Sequence, residues 1–200
     1  MVAVVRLRAV LPGVVAGACA VAGAVAVAAP AQAAPRACVL GTWKQTAHVG
    51  TVIADDSRTE LRGAHGVRLK VTRTGVAYDF TKSTKETTTG VVEGIHWNAW
   101  TKYTGKLSFD ATVKGAKSGT IRVKPRTAAG GARGTHKVTR PNVGTQRNWK
   151  LRTTYRAGGQ ESVAPARSSF SCSGGKLVLK SGFAFDGRKI TIERVFTRIR

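Results

Sequence analysis

Acidic residues are the scarcest charged class in this 200-residue chain: ten Asp and Glu stand against 33 Lys and Arg, for a formal net charge of +23 at neutral pH. So few carboxylates leave little material for the paired acid and base of general acid–base hydrolysis. Cysteine is scarcer still. Cys19, Cys38 and Cys172, with His48, His65, His96 and His136 scattered singly, form none of the close-spaced pairs that zinc sites use. Catalytic motifs are missing too: there is no Gly-x-Ser-x-Gly elbow, no His-Glu-x-x-His helix and no Walker phosphate loop, the stretch GGARGTHK having the wrong spacing. The adjacent acids Asp55 and Asp56 read as a turn or cap rather than as metal ligands. The expectation is a protein that is not an enzyme and that carries neither cofactor nor metal.

Only one apolar run reaches membrane-spanning length. It extends from Ala9 to about Ala29, follows Arg6 and Arg8, and leads into APAQAAPRAC, where Ala31-Gln32-Ala33 offers a cleavage site. This is the layout of a secretory signal peptide over residues 1–33. A permanent membrane anchor is the alternative reading of the same stretch. Cys19 lies inside it as a passenger. Cleavage after Ala33 leaves residues 34–200, a 167-residue chain of single-domain size. With Arg6 and Arg8 lost from the 33 basic residues, 31 remain and the net charge becomes +21. The expected location is extracellular, with retention at the cell surface by charge as a variant.

Removing the leader leaves two cysteines, Cys38 and Cys172, in an oxidising compartment, and a disulfide is the natural inference. Two unpaired buried thiols are the alternative. A bond closing so long a loop would stabilise the fold by about 4 to 5 kcal/mol in the chain-entropy account.

Period-two alternation dominates the rest. Val67, Leu69 and Val71 alternate with Arg68, Lys70 and Thr72; a turn at Arg73 to Gly75 follows, and Val76, Tyr78 and Phe80 resume the pattern, which predicts a hairpin. Leu107, Phe109, Ala111 and Val113, then the KGAKSG turn, then Ile121 and Val123 predict a second. Trp149, Leu151, Thr153 and Tyr155 read as one face of a further strand, and Phe170, Cys172, Leu177, Leu179, Ile190 and Ile192 complete the set. Residues 47–63 are the best place for one short helix or an ordered loop. Residues 125–146 lack alternation and read as a mobile loop with a short strand near Val138. About eight one-sided strands, with at most one short helix, imply an all-β antiparallel barrel or sandwich.

Gly41-Thr42-Trp43, directly before the first strand, resembles the Gly-x-Trp signature of lipocalins and related calycin barrels, and TIERVFTRIR resembles their closing strand. The wider layout, with CVLGTW near the start and SFSCSGGKLVL before the terminal TIERV, is similar to a group of secreted lipocalin-like proteins from high-GC Gram-positive bacteria. The resemblance implies a single up-and-down barrel over residues 34–200. Its first and last strands would pair, a Cys38–Cys172 bridge would fasten that seam, and an arginine, Arg194 or Arg198, would pack over Trp43. Alternation slips near Val195, so a bulge there decides between the two.

The same resemblance implies a carrier that holds a small apolar or amphipathic ligand. The cluster IHWNAWTKY nominates Trp97, Trp100 and Tyr103 as ligand-binding residues, with a filled interior as the plainer reading of those rings. Trp97 and Trp100 are three apart, so a regular strand would turn them to opposite faces. The cationic surface suggests a second class of function, a surface module for anionic wall polymers or lipid head groups. No recognition helix or RNA-binding motif supports specific nucleic-acid recognition. The chain is expected to be a monomer.

Overall fold

The computed structural model describes residues 37–199 other than 55, 56, 93, 143, 145 and 186. The leader over residues 1–33 and the Asp55-Asp56 pair therefore lie outside the described residues. Among them no helix is long and apolar enough to cross a membrane.

The strands are β1 Gly41–Ala54, β2 Ser57–Gly63, β3 Arg68–Val71, β4 Gly75–Asp79, β5 Glu86–Val92, β6 Ile95–Thr104, β7 Lys106–Lys114, β8 Ser118–Val123, β9 Arg133–Arg140, β10 Gln146–Lys150, β11 Arg167–Ser173, β12 Lys176–Phe185 and β13 Arg188–Arg198. A six-residue helix, α1, covers Leu151–Arg156, and a 3-10 turn covers Pro125–Thr127. Several strands are halves of longer runs broken at one common level. Gly63 (φ +106°) and Gly66 (φ +83°) interrupt the run of β2 and β3, and Gly105 (φ +76°) that of β6 and β7, all in the left-handed region that glycine tolerates. A Cβ on Gly63 would strike the carbonyl oxygen of Lys85. Backbone bonds from Gly66 N to Gln45 O, Thr84 N to His65 O and Phe80 N to Gly105 O stitch the interrupted runs together at this waist.

Below the waist, β1, β13, β12, β11, β8, β7, β4 and β3 form a ring that closes through a β1–β3 pairing. Above it, the order is β12, β13, β1, β2, β5, β6, β9, β10, and no pairing joins β10 to β12 among the described residues. The expected all-β, antiparallel, closed eight-strand barrel with a single short helix is what the chain forms. Its first and last strands pair from Trp43–Arg198 to Ile53–Lys189, as expected, which leaves neither as a free edge.

Three local expectations are corrected. Residues 47–63 carry no helix; they are the β1–β2 hairpin, in register from Val49–Arg62 to Ala54–Ser57. Residues 125–146 do hold a strand around Val138, as expected, but it is the eight-residue β9, Arg133–Arg140, longer than the short strand in a mobile loop that the sequence suggested. The strand expected through Tyr155 stops at Lys150 and becomes α1. Leu151 and Tyr155 fit an alternating pattern, but four residues apart they also share one helical face, and both are fully buried.

The apolar core fills the closed end. Trp43, Leu69, Phe80, Leu107, Leu177, Leu179 and Phe196 project into it, and Leu151, Tyr155, Val163 and Ala164 enter it from the connection between β10 and β11. The ring of Tyr155 meets Phe109 edge-on at 4.8 Å. Cys38 and Cys172 are disulfide-bonded. The bond does not fasten the β1–β13 seam. It ties the segment before β1 to β11, two strands beyond that seam, while Cys38 N donates to Ala116 O and Cys172 N to Lys117 O, so the link spans the closed base.

Candidate functional site

At the base, Gly41, Trp43 and Arg198 come together. The Arg198 guanidinium lies 4.1 Å from the Trp43 ring centroid and donates to the carbonyls of Leu40 and Cys38. Gly41 has φ +136°, a backbone conformation that favours glycine, and a Cβ there would also meet that guanidinium. Trp43 is fully buried and its indole donates to Val39 O at 2.9 Å. Arg198 is therefore the partner of Trp43, and the slip that decides this sits in β1 between Gln45 and Ala47, opposite Val195. Arg194 points inward four residues higher. It is wholly buried, donating to Val163 O at 2.6 Å and to the Ser168 hydroxyl at 3.1 Å.

That contact with Val163 reveals how the barrel is divided. Residues 161–163 cross the lumen at the waist and are tied to opposite walls. Trp149 of β10 and Tyr103 of β6 donate to the Glu161 carboxylate at 2.7 and 3.1 Å, and the Ser162 hydroxyl donates to Glu86 of β5 at 2.6 Å. Val163 is held by Arg194 of β13. The crossing segment thus roofs the apolar core and floors the open end.

The wall above this floor alternates inward and outward as each strand requires. On β6, Tyr103, Thr101, Ala99 and Trp97 share the inner face, with Tyr103 buried at the floor and Trp97 half-buried toward the rim. Trp97 stacks on His136 of β9, ring centroids 6.2 Å apart, and Thr101 bonds His136 Nδ1 at 3.0 Å. Burial lowers the His136 pKa from its ordinary value, the Glu86 charge opposes that, and Arg147 reinforces it. His48 of β1 faces Glu86 with Nε2 2.9 Å from the carboxylate, both side chains almost fully buried. The approach is close but not aligned as a hydrogen bond, and neither His48 ring nitrogen has a hydrogen-bond partner among the described residues.

Glu161 is the most perturbed carboxylate among the described residues. Burial pushes it up to about 7 and Glu86 adds to the rise, against the opposing hydrogen bonds from Trp149 and Tyr103 and the charge of Arg147. The phenols of Tyr103 and Tyr155 are raised well above the usual tyrosine range, first by burial and then by Glu161. Beside this group, Trp149, Arg147, Gly134 and Thr153 line a depression of about 590 Å³ that opens to solvent. Another of about 360 Å³, between Thr42, Arg68, Lys70, Tyr78 and Lys106, belongs to the outer wall of the closed end.

Of the three aromatics singled out in the sequence, Trp97 and Tyr103 line the open end and Trp100 does not. Trp100 is on the outer face of β6 with the Lys85 ammonium 4.0 Å from its ring centroid and Lys137 directly opposite on β9. β6 is regular here, the local bulge falling on β9, so the three-residue spacing separates the two tryptophans as strand geometry demands. Sequence reasoning missed His48, Glu86, His136, Trp149 and Glu161. Scarcity was the one available signal, since Glu86 and Glu161 are two of only ten acids. No group of three or more His, Cys, Asp or Glu side chains is arranged to hold a metal ion among the described residues. No known protein family, curated protein or solved structure matches this chain.

Proposed function

We propose that this protein is a secreted, lipocalin-like carrier that binds a small amphipathic molecule in the open end of its barrel, and that it binds without catalysis. One observation carries the reading: apolar packing stops at the segment that crosses the lumen, where Trp149 still packs against the core, and above it the wall is lined by half-buried Trp97 and His136 beside buried polar groups. Binding sites combine apolar and aromatic walls with a few convergent polar groups in this way. The Gly41–Trp43–Arg198 arrangement at the base supports kinship with calycin barrels of secreted Gram-positive proteins, and the disulfide suits export to an oxidising compartment.

The test is retention of the neutral dye Nile red by the mature protein in high salt. Trp97→Ala should weaken retention and Trp100→Ala, on the outer wall, should leave it unchanged. Loss of the dye on adding salt, or equal effects of the two substitutions, would count against the carrier reading.

A second reading has its own support. Lys85, Lys102 and Lys137 surround Trp100 on one outer face, a combination suited to anionic wall polymers or lipid head groups. It is distinguished by salt: polyanion binding through this face should fall steeply between low and high ionic strength and should be sensitive to Trp100→Ala.

A further inference from the structure

We propose that the open end of the barrel receives a small organic cation, an ammonium group on an apolar or aromatic body, seated between Glu161 and Glu86. The inference deepens the carrier reading and rests on it.

The charge balance makes these two carboxylates unusual. Ten acids share the chain with 33 Lys and Arg, yet neither Glu86 nor Glu161 forms an ion pair with a lysine or arginine among the described residues. Burying carboxylates without such a partner is costly. The rise of Glu161 to about 7 reflects that cost. A cation seated between the two groups would remove it.

Hydrogen-bond capacity points the same way. An ionised carboxylate is acceptor-only, with about four lone-pair sites. Glu161 receives one bond on each oxygen, from Trp149 and from Tyr103. Glu86 receives only the Ser162 hydroxyl, on Oε2. Most of the acceptor capacity at the floor is unused, and a ligand that completes it must bring donors. His48 is an independent sign. It is 1% exposed, its Nε2 stands 2.9 Å from Glu86, a separation that turns the ring proton toward the carboxylate, and its Nδ1 has no hydrogen-bond partner among the described residues. An ammonium has three donors and no acceptor, which matches the carboxylates and an imidazole lone pair.

The remaining surroundings fit the body of such a ligand. Tyr103 and Trp149 meet edge-on at 6.3 Å at the floor, beside the Glu161 carboxylate to which both donate, and aromatic faces attract desolvated cations. The basic groups near Glu161 are Arg147, toward the rim on β10, and Arg194, which is committed to Val163 and Ser168. His136 and the buried phenols of Tyr103 and Tyr155 complete the titratable surroundings. An anionic ligand would instead face two carboxylates at the floor.

Isothermal titration of the mature protein with phenylethylamine, neutral phenylpropionamide and phenylpropionate tests the assignment, with Nile red retention measured in parallel. The amine should bind about tenfold or more tighter than the amide, and the carboxylate weakest. Glu161→Gln keeps an acceptor oxygen for Trp149 and turns an NH2 donor toward the Tyr103 hydroxyl, which can accept it, and should bring amine and amide to about the same affinity; Glu86→Gln should act in the same direction, with thermal melts confirming that both variants are folded. Amine affinity in the parent should rise as pH increases through about 7, because the deprotonated floor is the binding form. Equal affinities for all three compounds while Nile red is retained would overturn the cation assignment and leave the carrier reading intact. Tightest binding of phenylpropionate would overturn it too, as would an amine preference unchanged in both folded variants. Loss of Nile red together with all three compounds would overturn both proposals.

Discussion

Below the crossing segment the barrel is a closed ring filled by Trp43, Leu69, Phe80, Leu177 and Phe196, its base spanned by a disulfide. Above it, strands from the same chain runs form a sheet in which no pairing joins β10 to β12 among the described residues, and the inner wall carries His48, Glu86, Thr101 and His136 over the Glu161 floor. The difference lies in what the inward positions contain, since strand geometry is alike in both. Where they are apolar, burial at roughly 25 cal/mol per Å² holds the ring shut. Where they are polar, each buried group needs a specific partner, and that half gains chemistry at the expense of cohesion.

The comparison predicts a descending series of effects. The largest should come from Cys38→Ser: releasing a link across 134 residues should cost about 5 kcal/mol in urea denaturation. Ligand retention in the still-folded fraction should persist. A loss below about 1 kcal/mol would mean the base holds without its covalent link. Next, Trp43→Ala should cost about 4 kcal/mol, because it removes a fully buried indole and strips Arg198 of its stacking partner.

At the open end, Glu161→Gln should change the pH dependence of stability. The folded protein holds the Glu161 proton up to about 7, compared with an ordinary 4.5, so the folded state binds that proton more tightly than the unfolded chain. The associated stability is fully present below about 4.5 and is lost as pH rises through about 7, an amount on the order of 3 kcal/mol. The difference between parent and variant in urea melts should therefore shift by about that much across this window, in favour of the variant at high pH. A pH-independent difference would show that the carboxylate titrates as if solvated. The smallest effect belongs to Trp97→Ala, under about 1 kcal/mol for a half-buried side chain near the rim, with ligand retention falling nonetheless.

The same division explains what was legible in the sequence. The β3–β4 and β7–β8 hairpins, the Trp43–arginine contact and the Cys38–Cys172 bond all belong to the closed end, where inward positions are apolar and alternation is plain. Residues 47–63, misjudged, and residues 125–146, where only the strand near Val138 was anticipated, build much of the open end. There β9 turns Gly134, His136 and Val138 inward, and β2 turns in Ser57, Thr59 and Leu61. Strands with polar residues on both faces carry no period-two hydrophobic signal, so they read as loop or helix. Glu161 lies in an irregular connection 75 residues from Glu86, and no local pattern could announce their meeting across the lumen.

Because residues 161–163 belong to a linker rather than to the wall, cup depth and barrel girth are separate variables. Girth follows from strand number and stagger, whereas depth depends on how far that linker sags between its moorings on Trp149, Glu86 and Arg194. Inserting or deleting residues near Gly158, where nothing crowds the backbone, would raise or lower the floor without changing one rung of the sheet. A shared scaffold could thereby serve guests of quite different length.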